Sequence, residues 1–170
     1  TFGSAGVGTQ THLAAENFLY AAGINATHVP YKGEGPAVAD AMGGQISMVF
    51  SNLPVALPQA RGGKLRGIAV TSAQRVPSAS DIPTVAESGL PGYEAFTWFG
   101  FFAPGATPRE IILKLNADAV AGLNVAEVRE KMAAQGLFVT ANTADQFGEF
   151  VNREIPRWTK IVKDAGVKPQ

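Results

Sequence analysis

The feature that most constrains the fold is a pattern that occurs three times in the first part of the chain. Each occurrence has a short apolar segment, a loop of glycine or small polar residues, and a helical segment that ends at glycine. The loops are residues 4–9, 32–35 and 51–52. Strands that alternate with helices predict a largely parallel sheet with crossover helices. The sequence therefore predicts an α/β fold.

The rest of the chain follows a different pattern. Apolar segments at residues 65–70 and 137–140 predict further strands, and residues 84–87 match a capping box that begins a short helix. The aromatic residues 93–102 are interpreted as a strand-like segment that crosses between two lobes. Helical patterns follow, and the last one, at about residues 144–165, contains Pro156, which should kink it. The predicted division is therefore residues 1–96, mostly sheet with crossover helices, and residues 97–170, mainly helical.

Composition excludes several classes of function. The chain has 14 basic and 14 acidic residues, and this balance argues against nucleic acid as the main partner. It has no cysteine, so disulfides, thiolate catalysis and thiolate metal sites are excluded. No apolar run approaches the roughly 18 residues that a membrane-spanning helix needs.

The three loops predict a site for an anion. Loops that follow parallel strands share one edge of the sheet, and each of these loops leads into a helix with free N–H groups at its start. The hydroxyls of Ser4, Thr9 and Ser51 and the amide of Asn52 add neutral donors, which suit a carboxylate. Backbone N–H groups beside Thr9, Gly35 and Asn52 are expected to point into one hollow. The alternative is that these residues only turn the chain and cap helices.

Two neighbouring residues, Tyr31 and Lys32, leave two interpretations open. Tyr31 forms a wall of the cleft or packs on the sheet, and Lys32 supplies positive potential or is simply solvated. Trp98 is likewise either part of the cleft or part of the core.

No catalytic or cofactor motif is complete. The glycines at positions 6 and 8 lack the third glycine of a dinucleotide fingerprint and the Gly-Lys-Ser/Thr of a P-loop. Phe2 stands where a nucleophile elbow around Ser4 would need glycine. His12 and His28 are interpreted as structural, and Glu34 and Asp40 as surface carboxylates. The sequence therefore predicts neither a cofactor nor a metal, and it does not predict an enzyme.

Several motifs resemble one family, the Bug proteins, which are periplasmic receptors of tripartite tricarboxylate transporters. The motifs are SAGVGT at residues 4–9 with HLA at 12–14, HVPYKG at 28–33, GGQ at 43–45, GKLR at 63–66, IPTVAE at 82–87, and WFG at 98–100 with AP at 103–104. They occur in order along essentially the whole chain.

The resemblance implies a periplasmic-binding-protein fold of the type II-like flytrap kind, which closes on a ligand between two lobes. It implies that residues 1–96 form the second lobe, and that residues 97–170 are the returning C-terminal part of the first lobe. The N-terminal part of that first lobe is expected to be absent, since the chain begins at Thr1 as if inside a longer protein. Hinges are expected near Gly3 and Thr97.

The resemblance also implies roles for individual residues. Ser4, Gly6, Thr9 and the loop at residues 33–35 would hold the distal carboxylate, and Ser51 would face the middle of the ligand. Family members that resemble amino-acid receptors have an acidic residue at the position of Ser51, so this chain is expected to bind a di- or tricarboxylate. The complete set of predicted ligand-binding residues is Ser4, Gly6, Gly8, Thr9, Tyr31, Gly33, Gly35, Ser51 and Asn52.

The predicted function is therefore that of a periplasmic receptor, which passes a small carboxylic acid to the membrane components of a tripartite tricarboxylate transporter. The receptor itself is not expected to span the membrane. Two alternatives remain at this point: the ligand-sensing effector domain of a regulator, and an enzyme that processes a carboxylate.

Overall fold

The structure is a computed structural model that describes residues 1–167. Its sheet has three parallel strands, β1 (Phe2–Ser4), β2 (His28–Pro30) and β3 (Met48–Val49), in the order β2-β1-β3. The helices are α1 (Gln10–Ala22), α2 (Glu34–Met42), α3 (Leu53–Arg61), α4 (Arg109–Leu123), α5 (Ala126–Ala134) and α6 (Ala144–Asp164). The three predicted strand–loop–helix units are thus confirmed.

Helices α1 and α2 cover opposite faces of this sheet. Phe2 is fully buried and packs against Ala15 and Leu19 of α1. The next residue, Gly3, faces the other way, where an added Cβ would lie 2.5 Å from the Ile46 side chain and 3.4 Å from that of Ala37 in α2. Successive residues of a strand point to opposite faces, so the sheet is wound on both sides. Such a sheet has its crevice where the strand order reverses, here beside the carboxyl ends of β1 and β3.

Beyond α3 the chain has little regular structure before α4. The predicted strand at residues 65–70 is wrong, since only Val70 pairs, in a single parallel bridge with Thr84. The predicted capping-box bonds are confirmed: the Glu87 N–H donates to Thr84 Oγ1 (3.0 Å), and the Thr84 N–H donates to the Glu87 carboxylate (2.8 Å). These bonds close a turn and do not begin a helix. Tyr93 fixes the following segment by donating its hydroxyl to the Ala14 carbonyl at 2.8 Å.

The chain divides into two units. One contains residues 1–97 together with the residues from Lys160 onward, and the other is Trp98–Thr159. In the second unit the Trp98 ring packs edge-on against Phe147 and Phe150, at centroid distances of 5.8 and 5.2 Å. Of the two interpretations of Trp98, its packing in this aromatic cluster supports the core.

The second unit also leaves large apolar side chains exposed. Phe99, Phe101, Phe102 and Phe138 are between 67% and 83% exposed. The strands predicted at residues 93–102 and 137–140 are wrong, because these residues have no regular structure. Within the described residues neither segment has a strand beside it, and a strand exists only through pairing. Among the described helices, none combines the length and the apolar character that crossing a membrane requires.

Candidate functional site

The loop between β1 and α1 is held by hydrogen bonds to a single carbonyl. The Gly6 oxygen accepts from the Ser4 hydroxyl (3.3 Å), the Thr9 hydroxyl (2.7 Å) and the Thr9 N–H (3.3 Å). Gly6 has φ 135° and Gly8 has φ 75°, conformations that residues with a Cβ rarely adopt. A Cβ at Gly6 would also lie 3.0 Å from the Tyr31 carbonyl oxygen. The loop therefore has one well-defined shape, which depends on glycine at these positions.

Thr9 also caps α1, because its hydroxyl accepts from the His12 N–H at 3.4 Å. The Gly8 N–H donates to His12 Nδ1 at 3.1 Å, and the Ala5 N–H donates to the Thr11 hydroxyl at 3.0 Å. The first turn of the helix thus fixes the loop that precedes it.

Two stacked imidazoles lie beneath the loop. The rings of His12 and His28 are 4.0 Å apart, and Phe2 stacks on His28 at 4.8 Å. The Ser4 hydroxyl is hydrogen bonded to His28 Nε2 at 2.7 Å, and Ser4 is completely buried. The structural interpretation of both histidines is confirmed. Ser4 supports the loop from below in this structure, and its contact with a ligand stays a prediction.

This histidine stack should make stability depend on pH. Burial, and then the neighbouring His12, lower the pKa of His28 from 6.5 to about 4. The unfolded chain therefore binds this proton more readily, and stability is lost as the pH falls from about 6.5 towards 4. Because His28 is only half-buried, we expect a loss on the order of 1–2 kcal/mol.

Urea unfolding at pH 7.5 and pH 4, on the parent chain and on His28→Gln, measures this effect. The carboxylates titrate in both proteins, so the difference between the two pH dependences isolates His28. An unchanged pH dependence in the variant would show that His28 does not contribute.

The loop between β2 and α2 is joined to the first loop through the backbone. The Tyr31 N–H donates to the Ser4 carbonyl (3.3 Å), and the Gly33 N–H donates to the Ala5 carbonyl (3.0 Å). The Tyr31 ring lies against Gly3, and its hydroxyl donates to the Asp40 carboxylate at 2.7 Å, which raises the pKa of Tyr31. Tyr31 thus packs on the sheet, and its contact with a ligand stays a prediction. Lys32 is exposed.

The loop between β3 and α3 binds a carboxylate of the chain itself. Glu34 accepts from the Ser51 hydroxyl (2.5 Å), the Asn52 N–H (2.6 Å) and the Asn52 side-chain amide (2.5 Å). The interpretation of Glu34 and Asp40 as surface carboxylates is wrong, since both are half-buried and hydrogen bonded. No local sequence signal indicated the Glu34 contact, because it depends on how α2 crosses the sheet.

All three loops lie at the carboxyl edge of the parallel sheet, as predicted. Several of their donors are already engaged within the chain, namely the N–H groups of Gly6, Gly8, Thr9, Gly33 and Asn52. Within residues 1–167, the N–H groups of Val7 and Gly35 donate to no acceptor. Of the N–H groups of Thr9, Gly35 and Asn52 themselves, only that of Gly35 is therefore open, whereas the N–H groups of the neighbouring residues Gln10 and Leu53 also have no acceptor within the described residues. The same part of the chain contains no group of three His, Asp or Glu side chains placed to hold a metal ion.

Comparison with known proteins gives a consistent result over nearly the whole chain. The sequence model of the tripartite tricarboxylate transporter family receptor, TctC, matches residues 1–167. Protein BugT of Bordetella pertussis is 38% identical over 162 residues, which are 95% of this chain and 50% of BugT. A UPF0065 protein of the clcB–clcD intergenic region of Pseudomonas knackmussii is 36% identical over 159 residues, 93% of this chain and 94% of that protein.

Solved structures of periplasmic solute-binding proteins share the fold. Rpa4515 of R. palustris with adipate superposes with a TM-score of 0.90 and 36% identity, covering 99% of this chain and 57% of Rpa4515. MatC of Rhodopseudomonas palustris with bound malate has a TM-score of 0.82 and 30% identity, covering 95% of this chain and 56% of MatC. The predicted periplasmic-binding-protein fold is thus confirmed. The chain spans about half the length of BugT and of these two structures.

Proposed function

Because the chain belongs to the tripartite tricarboxylate transporter receptor family, we propose that it forms the carboxylate-holding part of a periplasmic receptor. The receptor would take up a small di- or tricarboxylic acid and deliver it to the membrane components of such a transporter. The relatives are receptors and not enzymes, so the chain binds its ligand without chemical change.

The observation that carries this proposal is the meeting of three helix starts at one edge of the sheet. Helices α1, α2 and α3 begin there, and each start carries a partial positive charge. The N–H groups of Val7 and Gly35 have no acceptor within the described residues and are available to an anion. A carboxylate can be bound there by neutral donors alone, without an arginine or lysine. The relatives with bound adipate and malate support a small carboxylic acid as the ligand class.

We also propose the two-lobe division that the sequence suggested. Residues 1–96 would form one lobe. Residues 97–170 would complete the other lobe together with the part of the receptor that this chain does not contain, although only Trp98–Thr159 form the second compact unit of the structure. The exposed phenylalanines at positions 99, 101, 102 and 138 support this division, since several large apolar side chains left exposed in one unit are typical of a surface that another part of a protein covers. The chain spans about half the length of BugT, so in a receptor of that length the other half would be available to cover these side chains.

Nuclear magnetic resonance on the ¹⁵N-labelled chain tests the proposed function, because it detects weak binding. Adipate and malate, added up to millimolar concentrations, are expected to shift the Val7 and Gly35 amide signals in a saturable way. The neutral control is 1,6-hexanediol, with sodium chloride added to match the ionic strength. Acids that shift these signals no more than the diol would contradict carboxylate binding by these loops. The acids should be recovered unchanged.

A further inference from the structure

Glu34 reaches across the carboxyl end of the sheet. It is the first residue of α2, which follows β2, whereas its hydrogen-bond partners Ser51 and Asn52 follow β3. In the sheet β1 lies between β2 and β3, so this contact joins the two loops that flank the end of β1. The crevice where the strand order reverses is at the same place, beside the ends of β1 and β3. The Glu34 carboxylate is therefore part of the wall of the proposed ligand site.

The donors at the start of α3 are used by this contact. Glu34 Oε2 accepts from the Ser51 hydroxyl and the Asn52 N–H, and Oε1 accepts from the Asn52 amide, at 2.5–2.6 Å. Hydrogen bonds this short to an ionised acceptor are among the stronger ones in proteins. Another carboxylate could bind to Ser51 and Asn52 only by displacing Glu34. Ser51 and Asn52 thus have an indirect role at the crevice, because they hold the Glu34 carboxylate in position.

The charge of Glu34 is not cancelled by a cation. Within residues 1–167, no Lys, Arg or His side chain lies within ion-pair distance of its carboxylate. The residue is half-buried. Its Oε2 already accepts two hydrogen bonds, whereas Oε1 accepts one and can accept a second. The β3 side of the crevice therefore presents a negative acceptor, although the sequence predicted neutral donors there.

We propose that Glu34 is a specificity-determining residue, which selects a ligand with a hydrogen-bond donor, such as a hydroxyl group, where the ligand faces β3. A ligand carboxylate at that point would be repelled, and an unsubstituted methylene would leave the acceptor unused. This inference rests on the proposed function. It narrows the expected ligand class from di- or tricarboxylic acids in general to those that also carry a hydroxyl group.

Malate and succinate provide the test, since they differ only in one hydroxyl group. Dissociation constants from amide shifts of Val7 and Gly35 are compared for the parent chain and for Glu34→Gln. We expect the parent to bind malate about tenfold more tightly than succinate, because a hydrogen bond to a charged group is removed in succinate. The variant should lose most of that preference, while its affinity for succinate should stay the same or increase.

The control is Glu127→Gln, which removes the same charge from an exposed pair with Lys131 on α5 and should leave the preference intact. Circular dichroism verifies that each variant is folded. If Glu34→Gln does not fold, Ser51→Ala is used, because it removes one donor that positions Glu34 and should reduce the preference to a lesser degree.

The outcomes separate the two proposals. If both acids bind the parent chain with equal affinity, or if the preference persists in Glu34→Gln, the role of Glu34 is overturned and the receptor function stands. If neither acid shifts the Val7 and Gly35 signals, the carboxylate-binding function fails, and the role of Glu34 fails with it.

Discussion

Replacing Phe2 with Ala should lower the free energy of unfolding by about 3–5 kcal/mol, the range found when a buried aromatic ring is removed. Phe2 is fully buried at the centre of the sheet and contacts α1 through Ala15 and Leu19. It also stacks on His28, so its removal opens space directly beneath the β1–α1 loop.

Urea unfolding followed by circular dichroism measures this change. The control is Tyr20→Ala, which removes an aromatic ring that is 61% exposed on α1 and should change stability by no more than about 0.5 kcal/mol. Equal effects in the two variants would contradict the central position of Phe2 in the core.

Gly6→Ala should have the second-largest effect, on both stability and binding. Alanine would have to adopt φ 135°, and its Cβ would lie 3.0 Å from the Tyr31 carbonyl oxygen, which is backbone and cannot rotate away. We expect a loss of about 1–3 kcal/mol in the free energy of unfolding. If the loop binds a carboxylate, the displaced amides should also weaken binding by roughly tenfold or more.

The matched control for the stability effect is Gly35→Ala, in the first turn of α2. Gly35 has no positive φ, and a Cβ there would meet no atom within 4 Å. Alanine favours the helix, so this variant should be as stable as the parent or up to about 1 kcal/mol more stable. Thermal melts of both variants compare their stability, and malate titrations of Gly6→Ala and the parent chain measure the effect on binding. A stable Gly6→Ala with unchanged affinity would show that the loop tolerates a different shape.

The sheet and its loops were predictable because their signals are local. An apolar strand, a glycine-bearing loop and a helix that ends at glycine can each be recognised within a few residues, and parallel strands then place the loops on one edge. The cap at Thr9 could be found in the same way.

The failed strand predictions have a different cause. Residues 93–102 and 137–140 have the aromatic and β-branched composition of strands, but composition shows only that a segment could pair. Whether it does pair depends on a neighbouring strand, and the described residues provide none. The prediction at residues 65–70 failed for the same reason, apart from the bridge at Val70.

The least predictable features join residues that are distant in sequence. The stacking of Phe2 on His28 follows from the parallel register, which places these residues opposite each other, so it could have been inferred once the pairing was known. The stacking of His12 on His28 depends in addition on how α1 packs on the sheet. The contact of Glu34 with Ser51 and Asn52 requires the strand order as well, because α2 must first cross β1. The sequence indicated the edge of the sheet at which the three loops lie, but not that the Glu34 carboxylate occupies the donors of the β3–α3 loop.

The three hydrogen bonds to the Gly6 carbonyl also affect the other end of the same peptide group. Donors that converge on an amide oxygen withdraw electron density through the C–N bond, and the amide proton becomes more acidic and a stronger donor. In the Gly6–Val7 peptide that proton belongs to Val7, whose N–H has no acceptor among residues 1–167. By polarising the Gly6–Val7 peptide group, Ser4 and Thr9 can therefore strengthen a hydrogen bond from the Val7 N–H to an anion that neither side chain contacts.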